Sequence, residues 1–207
     1  MAESEQPSLY LITPPEIDLS IFPDRLAAVL DAVEIACVRL ALGTRDEDRI
    51  AAAADTCREV THARDVALVV DTHFLLAERH GLDGVHLTDG SRTVRKARLA
   101  LGDDAIVGAF CGALRHDGIS AAEAGVDYVS FGPAGASALG DGAKAEADLF
   151  SWWSEMIEVP VVAEGALTPE IVGELAPFTD FFGIGEEIWG GDDPVAALKA
   201  LLARMRG

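Results

Sequence analysis

Short apolar runs rich in Val, Ile and Phe recur along the whole chain, and between them lie longer stretches with apolar positions at helical spacing. A short apolar run bounded by turn residues reads as a strand covered on both faces. Its regular alternation with helical stretches reads as repeated βα units around a parallel sheet. The runs fall at residues 8–13, 34–42, 66–71, 84–89, 106–112, 128–134, 160–167 and 180–188, eight in all. Helix starts are marked by Pro23-Asp24 for the first helix, Thr168-Pro169-Glu170 for the seventh and Asp192-Asp193-Pro194 for the eighth. Each places proline where its missing N–H costs nothing. Gly81, Gly102 and Gly125 stand where the third, fourth and fifth helices should stop. Eight βα units favour a closed barrel over a doubly wound open sheet, which would show fewer strands or a GxGxxG after the first one. The pattern predicts an α/β fold, a single-domain (β/α)8 TIM barrel over residues 1–207.

Half of the 207 residues are hydrophobic, enough for one substantial core. Residues 1–8 are polar and acidic and lead into no apolar run long enough for a signal peptide or a membrane span, so the expected location is cytoplasmic. Cys37, Cys57 and Cys111 are odd in number and far apart, with neither CxxC spacing nor a nearby His pair, and they read as free thiols. With 35 acidic against 16 basic residues the net charge is −19, which repels nucleic acid and anionic membranes at long range. The expected partner is a small molecule, with a homodimer left open.

In a barrel of this kind the chemistry sits at the C-terminal ends of the strands and in the loops that follow. Those positions hold Asp71, His86, Asp89, Cys111, Gly132-Pro133, Glu164-Gly165-Ala166 and Gly183-Ile184-Gly185-Glu186-Glu187. The loops after strands seven and eight commonly hold a phosphate through backbone N–H groups, and Gly165, Gly183 and Gly185 permit the close approach this needs. The Gly-, Ala- and Ser-rich stretch 135–147 reads either as a lid over that face or as a flexible linker. His86 reads either as a ligand-orienting group or as packed within the barrel. Asp71, Asp89, Glu164, Glu186 and Glu187 read either as a cation-binding set or as solvated loop charges. No general base pairs clearly with Cys111, and Trp152-Trp153 reads as packing.

The runs Asp83-Gly84-Val85-His86-Leu87, Asp127-Tyr128-Val129-Ser130-Phe131-Gly132-Pro133 and Pro160-Val161-Val162-Ala163-Glu164-Gly165 resemble, in order and spacing, motifs of the thiamine phosphate synthase and thiazole tautomerase (TenI) family. Leu9-Tyr10-Leu11-Ile12-Thr13 resembles that family's opening strand, and Gly190-Gly191-Asp192-Asp193-Pro194 the entry to its last helix, so the resemblance covers about residues 8–202. It implies an enzyme of thiamine biosynthesis that joins a pyrimidine pyrophosphate to a thiazole phosphate, through a pyrimidine cation formed as pyrophosphate departs. Basic residues and Mg2+ would stabilise the leaving group.

Several positions depart from the family pattern. Its Gln-Leu-Arg-x-Lys after strand two becomes Arg39-Leu40-Ala41-Leu42-Gly43, with no base at Ala41 or Gly43. Its Asn-Asp pair becomes Val70-Asp71, and its second metal carboxylate falls near Ser91, with Asp89 as the substitute. The loop lysine after strand six is missing from register, with Lys144 the nearest base. The tautomerase histidine falls on Gly112, with His116 nearest, and the Gly-Gly phosphate pair becomes Gly165-Ala166. The resemblance thus assigns Arg39, Asp71, His86 and Lys144 to catalysis and Asp71 and Asp89 to Mg2+. It assigns Gly132, Glu164, Gly165, Ala166, Gly185 and Glu186 to substrate. The expectation is a thiamine phosphate synthase-like enzyme with a degenerate site, or alternatively a non-catalytic barrel that binds a small molecule or regulates a partner.

Overall fold

The computed structural model describes residues 6–205, so the polar lead of residues 1–5 lies outside them. Eight parallel strands close into a barrel in sequence order: β1 (Ser8–Ile12), β2 (Cys37–Leu40), β3 (Ala67–Asp71), β4 (Gly84–Leu87), β5 (Ile106–Phe110), β6 (Tyr128–Phe131), β7 (Val161–Glu164) and β8 (Phe181–Ile184), with β8 pairing back on β1. The helices are α1 (Phe22–Ala32), α2 (Glu47–His62), α3 (Phe74–His80), α4 (Val94–Leu101), α5 (Arg115–Ala124), α6 (Ala147–Met156), α7 (Pro169–Leu175), α8 (Glu186–Trp189) and α9 (Pro194–Leu201). Among the described residues no helix is long and apolar enough to cross a membrane.

The two-residue period of a strand sorts the apolar side chains into two bodies. Leu9, Leu11, Val38, Leu40, Leu68 and Val70 face outward under the helices, whereas Tyr10, Cys37, Val69, Tyr128 and Val162 fill the barrel. Helix punctuation follows the expected residues. Thr168 Oγ1 caps α7 by accepting from the Ile171 N–H, and Asp193 Oδ1 caps α9 by accepting from Ala196. Helices α3, α4 and α5 stop at Gly81, Gly102 and Gly125, all at positive φ. Trp153 is fully buried, with its indole N–H on the Val159 carbonyl, and the Arg115 guanidinium lies 4.7 Å over the Trp152 ring.

The strands are shorter than the apolar runs. The run 34–42 yields only Cys37–Leu40, and 160–167 stops at Glu164. The run 180–188 stops at Ile184, because Gly185 leaves the extended region at φ −135, ψ −103 and starts α8, a helix absent from the sequence reading. The apolar pattern continues through that break because Ile188 and Trp189 are buried from a helix instead. Trp189 packs 5.1 Å from Phe22 and donates its indole N–H to the Ile12 carbonyl at 2.7 Å.

One device repeats at the N-terminal end of the barrel. Asp83, Asp127 and Asp180 each precede an even-numbered strand, and each carboxylate accepts the backbone N–H of Leu68, Val107 or Val161 on the strand before, at 2.7, 2.7 and 2.8 Å. Their own N–H groups donate to the carbonyls of those same three residues. The strand starts are thereby joined in pairs at this rim. Asp127 also pairs with Arg98 at 2.7 Å. Asp127→Ala is expected to lower unfolding free energy by about 1 to 3 kcal/mol through the orphaned Val107 N–H. Urea midpoints against an Asp104→Ala control would measure this, and equal midpoints would refute it.

Candidate functional site

At the opposite rim, Arg39, Asp71 and Glu164 come from β2, β3 and β7 and converge across the barrel mouth. Arg39 Nε lies 2.8 Å from Asp71 Oδ1, and Nη1 lies 3.0 Å from Glu164 Oε2 and 3.3 Å from Oε1. The Glu164 contacts are directed hydrogen bonds. The Asp71 contact is a charge pair, since neither Arg39 Nε nor Asp71 Oδ1 meets hydrogen-bond geometry. Arg39 is 7% exposed and Glu164 only 2%. Burial would pull the arginine pKa down, but the two carboxylates more than offset it and hold the guanidinium charged. Asp71 is raised above the usual carboxylate range, by burial and by Glu164, against the pull of Arg39.

His86 stands in register with Asp71 but is completely enclosed. Its Nδ1 lies 2.9 Å from the Tyr128 hydroxyl, which lies 2.6 Å from that of Tyr10, while Nε2 has no partner among the described residues. Burial, and then Arg39, depress its pKa well below the ordinary histidine value, so it is a neutral member of the barrel layers rather than a group at the mouth. Lys144 is on the surface, paired with Glu146 at 3.0 Å, and does not line the mouth. Asp89 accepts from Thr93 and lines a neighbouring recess with Phe110, Cys111 and His116, whereas Asp71 lines the mouth. The buried Cys111 thiol is pushed up to about 12 by burial and by Asp117, which leaves it inert as a nucleophile near neutral pH.

The mouth itself is a recess of about 420 Å3 whose wall includes Ile12, Thr13, Arg39, Ala41, Asp71 and Glu164. Its far side is the β7 and β8 loops, with Gly165, Ala166, Gly183, Gly185, Glu186 and Glu187. Gly132 packs against Glu164: a Cβ there would come 3.2 Å from Glu164 Cγ. Ala166 takes φ +52 where a glycine would be unstrained. Part of stretch 135–147 folds over this side, since the Gly135 N–H donates to the Gly165 carbonyl at 2.9 Å and Ser137, Ala138 and Leu139 line the recess. Glu186 is exposed at the rim. Glu187 is bound, accepting from the Gly185 N–H at 2.7 Å and the Leu167 N–H at 3.0 Å.

The structure therefore brings together Arg39, Asp71, Glu164, Gly165, Ala166, Gly185 and Glu186 at the recess, leaves Lys144 and Asp89 out of its lining, and encloses His86 in the barrel beside Asp71. Sequence reasoning missed Thr13, whose Oγ1 accepts from the Ala41 N–H at 3.0 Å, and the role of Glu187. Thr13 closes a family-like strand motif and was findable; no sequence signal orients Glu187.

A thiamine monophosphate synthase family model matches residues 9–179. A thiamine-phosphate synthase of Rhodospirillum centenum is 40% identical over 204 residues, covering 96% of this chain and 98% of that one. Another from Erythrobacter litoralis is 37% identical, covering 95% of each. Among solved structures, thiamine phosphate pyrophosphorylase from Pyrococcus furiosus superposes with a TM-score of 0.81 at 19% identity, over 96% of this chain and 95% of that one.

Removing the cation from the mouth should expose its charge balance. Arg39→Met leaves Asp71 and Glu164 facing each other, and breaking such a buried pair is expected to cost about 3 to 5 kcal/mol at pH 7.5. Asp71, whose folded-state pKa is raised, binds a proton on folding, so stability falls as pH rises through that range and the deficit should shrink toward pH 5. Denaturant titration at both pH values measures it. A deficit that grows on acidification would contradict the assignment.

Proposed function

Because this chain belongs to the thiamine monophosphate synthase family, we propose that it condenses a pyrimidine pyrophosphate with a thiazole phosphate, slowly, in the recess above Arg39. The observation that carries this reading is that two of the family-like strand motifs, Leu9–Thr13 and Pro160–Gly165, end together at that recess, beside the family-like pair Gly165-Ala166. In the reaction, the bond from the pyrimidine methylene to pyrophosphate breaks with its electron pair on the leaving group. The thiazole nitrogen lone pair then closes the new C–N bond.

This chain's residues do part of that work. Gly165, Ala166 and Gly185 offer backbone at the thiazole phosphate end, and Ser137, Ala138 and Leu139 limit the access of water. Stabilising the departing pyrophosphate is where the chain is weak. Arg39 is already shared by two carboxylates at 2.8 and 3.0 Å, so it presents little net positive charge outward. Ala41 at the mouth and Gly43 in the adjoining recess bear no charge, and the exposed Arg45 lines that second recess rather than the mouth.

Mg2+ suits Asp71, which opens on both recesses, since this ion commonly takes one or two protein carboxylates and completes its shell with substrate phosphates and water. Bound there, it would neutralise charge on the pyrophosphate. Asp89 faces a different recess and would not share it. We place the reaction in the cytoplasm, and a homodimer would leave a mouth built from one chain's loops intact.

One cation against four carboxylates at the mouth favours a second reading, a non-catalytic barrel that binds a small molecule. Turnover separates the two. With both substrates and Mg2+, the expected rate is about 100- to 1,000-fold below that of the Rhodospirillum centenum relative, because loss of preorganised charge stabilisation commonly costs that much. A rate within about tenfold of the relative would overturn the weakened-site reading. No turnover, with thiazole phosphate binding seen by calorimetry, would establish the second.

A further inference from the structure

Three of the exposed large apolar side chains gather on one side of the barrel. Leu99 on α4, Leu114 just before α5 and Met156 at the end of α6 are 88%, 61% and 63% exposed, and the sequential strand order makes these three helices neighbours. A single exposed leucine needs no partner, but a patch across adjoining helices does call for one. Helix α4 turns Val94 and Ala97 to the core, which leaves Arg92, Arg95, Lys96 and Leu99 on its outer line at the spacing of one helix face, all of them exposed.

The charges on this side sort by helix. Residues 90–102 hold four bases and no acid, in a chain whose net charge is −19. Arg98 is engaged by Asp127 and by the carbonyls of Ala105 and Gly125. Arg92, Arg95 and Lys96 enter no ion pair among the described residues, and neither do the exposed Glu123 on α5, Glu155 on α6 and Glu158 just past it. Between the two signs lies the partly buried Trp152, with the Arg115 guanidinium over its ring. Aromatic rings and arginines are the side chains that protein interfaces favour.

We propose that the α4–α5–α6 face is a dimer interface and that its partner is a second copy of this chain, related by a two-fold axis parallel to the barrel axis. An axis so directed runs along α5 and sets α4 of each copy against α6 of the other, so Arg95 and Lys96 face Glu155 and Glu158 twice over. Leu99 and Met156 both lie within two residues of the C-terminal ends of their helices, and this arrangement brings them level. A two-fold axis running across the helices would instead lay α4 on α4, with like charges opposed. Nucleic acid or an anionic membrane on the α4 ridge would meet Glu123, Glu155 and Glu158 beside it, whereas a second copy matches both signs. The remaining negative charge of each barrel is screened beyond about 8 Å at physiological salt, which leaves the contacting pairs to decide the approach. None of these residues lines the mouth, so the interface is independent of the reaction proposed above.

Sedimentation velocity of the full chain in about 0.15 M salt tests this. At about 100 µM the expected species has twice the 21.8 kDa mass of the chain, since interfaces of standard size hold at micromolar concentrations or below. Arg95→Glu with Lys96→Glu, and separately Glu155→Lys with Glu158→Lys, should each weaken self-association by about tenfold or more. Mixing the two double variants should restore the dimer, because every contact again pairs opposite signs, and a chain carrying all four reversals should dimerise with itself. These restorations distinguish a lost contact from a misfolded variant. A monomer at that concentration would overturn the proposal, and so would a dimer indifferent to both reversals. Oligomers that keep growing with concentration would overturn the two-fold arrangement in favour of a head-to-tail one. A monomer that binds anionic vesicles or an oligonucleotide, and loses that binding with Arg95→Glu and Lys96→Glu, would give the ridge to another partner and refute the second copy.

Discussion

Closing eight strands on themselves encloses a nearly fixed volume, and every inward side chain has to share it. Tyr10 and Tyr128 meet across that space, which is open to them only because Gly108 is small: a Cβ there would overlap the Tyr128 ring. Tyr128 in turn puts its hydroxyl between Tyr10 and His86, so a polar chain runs through the inside of the barrel. Enclosure then dictates protonation. A histidine cut off from water beside a buried guanidinium stays neutral, and both tyrosines are held protonated, their pKa values pushed well above the ordinary value chiefly by burial.

The same enclosure governs the mouth. A buried arginine needs partners, and Asp71 supplies one from the adjacent strand and Glu164 another from across the barrel, tying β2 to β3 and β7. This satisfies the fold and reduces what the guanidinium can offer a ligand. A site that in the family context handles two anionic substrates therefore presents a closed ion-pair network at its floor and carboxylates at its rim.

Much of the fold was legible along the chain because it is governed by local periodicity. The eight apolar runs became eight strands, and Thr168, Pro169, Asp193 and Pro194 opened helices where expected. Strand ends were overrun because an apolar residue reads alike whether it is buried from a strand or from a helix. The run through Ile188 and Trp189 is the clearest instance, since its burial comes from α8. At the site, position along the chain sufficed to place Asp71 and Glu164 at strand ends near one rim, but the meeting of both with Arg39 came only from the closed barrel. Position alone could not separate Asp89 from Asp71, which depends on how successive loops turn.

By itself the sequence determined the architecture, the family motifs, the excess of acid over base and the absence of bases at positions 41 and 43, because each is a matter of residue type and spacing. Only the tertiary structure decided which charges meet. Glu164 serves Arg39, Glu186 faces solvent and Glu187 holds two backbone N–H groups, although all three are glutamates at or just beyond a strand end. The physical reason is that electrostatic role depends on distance and burial across the barrel, and strands far apart in sequence fix both only when the barrel closes.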